Sequence, residues 1–292
     1  MKIILSRKGF DATNGGCPSP IFPRGGYVSL PIPATSSPTR MGDLNYLNHN
    51  LGEIVEQLTR DSINASSYVH LDPDLYEGML PRSPGWLPAF GQTGSSLSHL
   101  EKNGIGKGDL FLFFGWFREV ELSPTNHWRF KSNAPNLHVI FGWLQVSEVL
   151  KVGGKSEYFK ERIPWLDRHP HLYGDRKEAD TIFVGSDRLS IAGSKNHHIP
   201  GGGMFKRICD ELILSEPGQR NRSVWELPGW FNPDNDREPL TYHRDLKRWE
   251  HIDNKKVRLR SVAKGQEFIL DMDHYPEAAD WLNELFGLEC LR

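Results

Sequence analysis

Several short stretches of the chain hold side chains that could do chemistry. In "SRKGFDATNGG", residues 6–16, Arg7 and Lys8 stand with Gly9, Asp11, Gly15 and Gly16 directly after the apolar run Ile3-Ile4-Leu5. Two cations can pair with a phosphate, and glycines let backbone N–H groups come close to an anion. The stretch is neither a GxxxxGK[ST] loop nor GxGxxG, and a solvated loop after a strand is the ordinary alternative. "HLDPD" sets His70, Asp72 and Asp74 close together. His-x-Asp supplies two of the three ligands of a facial iron site, with a later histidine such as His138 as the third. Asp72-Pro73-Asp74 is equally good turn chemistry.

"GWLPAFGQTGSSLSHLEKNG" brings Trp86, Phe90, Gln92 and His99 together. A base pocket uses aromatic faces for stacking and an amide for the base edge. Aromatic residues are more often core, and His99 alone is more often structural. Asp11, Asp72 and His99 are the candidate acids or bases. His243 in "LTYHRDLKRW" has Tyr242 and Arg244 beside it, a polar cluster on the substrate side. His169, His171, His197 and His198 lack a cysteine partner and any HExxH frame, so they read as solvated loop residues and no metal ligand is assigned. There is no GxSxG, and Cys17, Cys209 and Cys290 have neither CxxC spacing nor a catalytic context.

These residues need elements to position them. Leu44, Leu47, Leu51, Ile54, Val55 and Leu58 recur at helical spacing, which predicts a helix over 42–60. "GDLFLFFGWFREVEL" (108–122) and "LHVIFGWLQVSEVLKV" (137–152) are nearly continuous apolar runs, the pattern of paired strands buried in a sheet. Shorter strands are expected at 25–33, 181–191 and 265–273, a short helix over 97–106, a Gly-started helix or strand over 201–214, and a closing helix over 275–291. The segment 80–96 is rich in Pro and Gly and long for a connection, which makes it functional or disordered; Trp86 and Phe90 argue against disorder.

Bulk properties set the frame. With 35 basic and 37 acidic residues and a formal charge of −2, the 292-residue chain has no global cationic field, so a nucleic acid would have to bind through a local patch. The sparse cysteines point to a reducing, cytoplasmic setting, and neither a signal-peptide core nor a run of about 18 apolar residues occurs. The 9 Trp, 20 Pro and 28 Gly describe turn-punctuated structure with aromatic anchors rather than long helices.

The set "ILSRKGFD", "GGCPSPIFP", "HLDPDL", "PGWLPAFGQTG", "GDLFLFFGWFR", "HVIFGWLQV", "WELPGWF", "YHRDLKRW" and "GQEFILD" resembles a bacterial and phage family, the nucleotide-modification-associated domain of the third type. The likeness runs from residue 3 to the closing helix. It implies an association with DNA base hypermodification or phage conflict, and brings no established reaction or cofactor. More loosely, "GDLFLFF" answered by "HVIFGWLQVSEV" is similar to PUA-like domains (EVE, YTH, ASCH), whose barrels hold a flipped or modified base, although the stretch between Asp109 and Gly142 is longer here.

The expected architecture is therefore α+β: one enlarged domain over 1–292 with a central mixed or antiparallel sheet, in its PUA-like form a barrel, with a sheet core at 108–152 and 181–273 and helices outside. The expected function is nucleotide or nucleic-acid base modification, DNA more than RNA, with no membrane partner. Arg7, Lys8, Gly9, Gly15 and Gly16 would hold phosphate, and Trp86, Phe90, Gln92 and His243 the rest of the substrate. A non-catalytic reader of modified bases and an iron-dependent oxygenase using His70 and Asp72 are the alternatives.

Overall fold

The computed structural model describes residues 1–174, 180–193, 198–233, 237–288 and 291. The fold is α+β. Nine strands form one mixed sheet: β1 (Lys2–Arg7), β2 (Ser19–Ile21), β3 (Ala89–Thr93), β4 (Leu110–Leu122), β5 (Trp128–Phe130), β6 (Leu137–Lys151), β7 (Asp180–Gly185), β8 (Gly202–Met204) and β9 (Glu267–Asp271). The main path is β9-β1-β4-β6-β7-β3, with β2 and β5 added to β4 and β8 added to β6. β1 runs parallel to β4, pairing Ile3 with Leu110 and Arg7 with Phe114, while β9 lies antiparallel on its other side. β4, β6, β7 and β3 follow one another antiparallel.

The two long apolar runs form the centre of this sheet because both of their faces are covered. Phe111, Phe113, Phe114 and Phe117 of β4 and Val139, Ile140, Phe141 and Leu144 of β6 are all buried. Truncating one such phenylalanine would cost about 3–5 kcal/mol. The sheet curls until its edges approach: Gln92 Nε2 on β3 donates to Glu267 Oε1 on β9 at 2.6 Å, and Lys8 Nζ sits 4.6 Å above the Phe90 ring. Side chains alone make this bridge. Among the described residues the ladder does not close, so the sheet is an open curl rather than a complete barrel.

Among the described residues four α-helices lie outside the sheet: α1 (Leu51–Thr59), α2 (Gly94–Lys102), α3 (Ser156–Arg162) and α4 (Glu277–Leu285). The helix expected over 42–60 is confined to α1. Asn50 ends it at the N-terminus by accepting from Gly52 N and Glu53 N, an N-cap contributing about 1 kcal/mol. Upstream, Asn45–Tyr46 and His49–Asn50 form a small hairpin with Leu47 exposed at its tip in the left-handed region. The closing helix ends at Leu285, short of 291. The strand expected over 25–33 reduces to Ile32–Pro33, which pairs with Val69–His70. A separate three-stranded sheet joins Val224–Pro228, Lys256–Arg260 and Trp249–Asp253. Among the described residues no helix is long and apolar enough to cross a membrane.

Candidate functional site

A cleft of about 670 Å³ opens beyond the end of β1 and alongside β3, within the size range of small-molecule sites. Two clusters line it. One is cationic: Arg7 at the end of β1 and Arg222, which enters the strand Val224–Pro228. The Arg222 guanidinium lies 4.2 Å over the Trp116 ring, and its Nε is buried with no partner among the described residues. Arg7 donates to the carbonyls of Ala263 and Gly265. Burial pulls the Arg7 guanidinium below its usual range, and the charge of Arg222 adds to this against the opposing pull of Asp11 and Glu267. His138, across the β4–β6 ladder from Trp116, completes this group. Its Nδ1 accepts from Trp225 Nε1 at 3.0 Å, which leaves the proton on Nε2. Burial first, then Arg222 and Arg7, push it down to about 3, so it is a neutral donor.

The other cluster consists of His70, Asp72 and His171. His70 hangs from the two-residue ladder with Ile32. The next turn is pinned against β3: Asp74 and Ala89 exchange backbone hydrogen bonds at 2.9 and 3.0 Å, and Gly91 N donates to Asp72 Oδ1 at 2.8 Å. The Asp72–Pro73 peptide is cis. His171 comes from the single turn Pro170–Leu172 and hydrogen-bonds through Nδ1 to Asp180 Oδ1 at 3.1 Å. His70 Nε2 and His171 Nε2 are 3.2 Å apart, and Asp72 Oδ2 lies 3.4 Å from His171 Nε2 and 3.7 Å from His70 Nε2. Burial raises the Asp72 carboxyl, but hydrogen bonds and charge from the histidines outweigh it and hold the group well below the usual range. For His171, burial lowers the imidazole and the two carboxylates more than reverse this, leaving it raised.

Of the residues expected to form the site, Arg7, Lys8, Gly9, Asp11, Asp72 and Gln92 share this cleft. Gly9 has φ +81, and a Cβ there would lie 2.1 Å from Ser29 Oγ, so only glycine fits. Lys8 is bound to Glu267 at 2.8 Å, the carboxylate buried and the lysine half-buried, a pair that holds the floor. Asp11 Oδ1 accepts from Thr13 N and Asn14 N at 2.7 and 2.6 Å, which shapes the loop. The amide of Gln92 is taken at both ends, by Glu267 and by Thr93 N.

The other expected residues lie elsewhere. Gly15 packs on the Phe10 ring and Gly16 faces open space. Phe90 is fully buried among Phe111, Phe113 and Phe183, and Trp86 is covered by the Arg82 guanidinium at 4.5 Å. His99 binds Thr241 Oγ1 and rests on Tyr242. His243 is fully buried, with Nδ1 on Thr241 O and Nε2 accepting from Val262 N.

His169 and His171, expected as solvated loop residues, are buried at 5% and 4% exposure. His198 is exposed, and His197 and Cys290 lie outside the described residues. His171, not His138, stands with His70 and Asp72. The spacing of "HPH" beside an upstream "HLD" was the available signal for His171; Arg222 in "RNRSVW" has none in its own neighbourhood.

The fold and the cleft define an α+β protein built on a curled mixed sheet with an arginine- and histidine-bearing pocket. The chain belongs to the nucleotide modification associated domain 3 family, whose model matches residues 2–271. That span runs from the first residue of β1 to the last of β9 and stops before α4. No curated protein and no solved structure matches the chain. The family name supports a role in nucleotide modification.

Proposed function

We propose that the chain is an enzyme that modifies a nucleotide or nucleic-acid base bound in the 670 Å³ cleft. The observation that carries this reading is the pairing of two guanidinium groups with a His–Asp–His cluster in one pocket of a nucleotide-modification family member. Arg7 and Arg222 hold a phosphate, since both line the cleft and a guanidinium offers forked donors. Neutral His138 adds an uncharged donor to the same group. Trp116 is the aromatic surface of this pocket, in place of Trp86 and Phe90. Asp72 and His171 stand where the base would be worked upon.

DNA is favoured over RNA only by the family's implied setting, and the cleft accepts a free nucleotide or a flipped base. A reader's aromatic cage draws no support from Phe90, which is core. Diffraction from crystals soaked with a nucleoside 5′-monophosphate tests the reading: phosphate density beside Arg7 and Arg222 is expected, and a nucleotide bound only outside the cleft refutes it.

A further inference from the structure

We propose that His70, Asp72 and His171 form a binding site for one borderline divalent transition-metal ion of the zinc and iron(II) class. The three donor atoms, His70 Nε2, Asp72 Oδ2 and His171 Nε2, form a triangle with sides of 3.2, 3.4 and 3.7 Å. Ligand atoms about 2.1 Å from one ion, at angles between octahedral and tetrahedral, lie about 3.0–3.5 Å apart; two sides fall in that range and the His70–Asp72 side, at 3.7 Å, closes slightly on the ion. A point about 2.1 Å from all three donors lies just outside their plane, as such bond lengths require.

The surroundings prepare each donor. The His171 Nδ1 proton faces Asp180, so Nε2 is the nitrogen turned to the triangle, where an ion replaces any proton it carries, the carboxylate–histidine arrangement of ligated imidazoles. His169 is buried, and its Nε2 has no partner among the described residues. Its Nδ1 accepts from His171 N at 3.3 Å, which puts the proton on Nε2, 3.6 Å from Asp72 Oδ1 and outside hydrogen-bond reach. Gly91 N holds the same oxygen at 2.8 Å. Oδ1 thus takes the Gly91 N–H, and Oδ2, the oxygen nearer both imidazoles, is left for the ion.

Two imidazole nitrogens and one carboxylate oxygen are a borderline set. All-oxygen magnesium and calcium sites and thiolate-seeking ions are disfavoured. His70, Asp72 and His171 line the open cleft, so three protein ligands leave further positions for water or substrate, the pattern of catalytic rather than structural metal sites. The assignment rests on the cluster alone and does not depend on the substrate being a nucleotide.

The test titrates chelator-stripped full-length protein with Co²⁺ and with Zn²⁺ by calorimetry, and follows the visible absorption of bound Co²⁺. One equivalent is expected to bind. Asp72→Asn and His171→Gln should each weaken binding at least tenfold, and Asp180→Asn about 10–100-fold through loss of ligand orientation. His127→Gln, on an exposed loop, should leave binding unchanged. The wild-type stoichiometry does not depend on any variant folding. Failure of the wild type to bind either ion, or binding unaltered in both Asp72→Asn and His171→Gln, would overturn the proposal.

Discussion

Gly91→Ala is the sharpest structural test of how the histidine cluster is held. Gly91 lies on β3 opposite Ile182, outside the left-handed region, so its backbone accepts alanine without strain. The obstacle is steric. A Cβ built there would stand 2.1 Å from His171 Cδ2, 2.5 Å from Cγ and 2.7 Å from Nε2. Ordinary contacts begin near 3.4 Å, so the ring must retreat by about 1 Å or more. It has nowhere to go without losing Asp180 at 3.1 Å or Asp72 at 3.4 Å.

Forced overpacking of this kind costs about 1–3 kcal/mol. For a chain of this size that lowers the melting temperature by several degrees. Displacing one ligand of the triangle should also weaken Co²⁺ binding at least tenfold, on the scale seen when a metal ligand loses its orientation. Gly106→Ala is the control, since a Cβ there meets nothing within 4 Å. Its effect should stay within about 0.5 kcal/mol, as for other unobstructed surface changes. Calorimetric melting and Co²⁺ titration of both variants read the outcome. If Gly91→Ala melts and binds like Gly106→Ala, the described packing of His171 is wrong.

Two further predictions concern the frame around the cleft. Burial pushes His243 down to about 4, with Arg248 and Arg7 adding to this against a hydrogen bond to Thr241. The folded state therefore resists a proton that the unfolded chain takes up near 6.5, so the stability His243 provides is complete above pH 6.5 and drains as pH falls toward 4. At pH 5 the loss is about 2 kcal/mol. In urea unfolding, His243→Gln should shrink the stability difference between pH 7.5 and pH 5 by about that amount, and an unchanged difference would refute the assignment. Lys8→Met strands Glu267, whose side chain is 1% exposed, and should cost about 3–5 kcal/mol. Lys8→Met/Glu267→Gln should recover much of that in the same assay, and no recovery would deny the pair its role in the floor.

The parts of the fold that could be read from residue order were those whose pattern has one solution. "LFLFFGWF" and "HVIFGWL" bury both faces and had to be central strands. The helix expected over 42–60 is overextended because Leu44 and Leu47 fall at helical spacing by coincidence, and the structure starts it only after Asn50, whose side chain caps it. Arg7, Gly9, Asp72 and Gln92 share a cleft because the curl brings the end of β1 to β3. Phe90 reads like a stacking residue but is core, since a strand alternates its faces and its inward side meets Phe111 and Phe183. His171 reads as a solvated loop residue and Arg222 goes unread because their partners are remote: Asp72 lies some hundred residues before His171, and Trp116 a similar distance before Arg222. Tertiary closure alone makes them neighbours.

In the proposed function a nucleotide occupies this cleft with its phosphate on the two arginines. Its most direct measurement is the diffraction density from crystals soaked with a nucleoside 5′-monophosphate, repeated with Arg222→Ala. Phosphate is expected within hydrogen-bond distance of Arg7 and Arg222, with the base reaching toward Asp72 and His171, and this density should be lost in Arg222→Ala. A nucleotide seated away from both arginines, or one whose phosphate position is unchanged in Arg222→Ala, would contradict it.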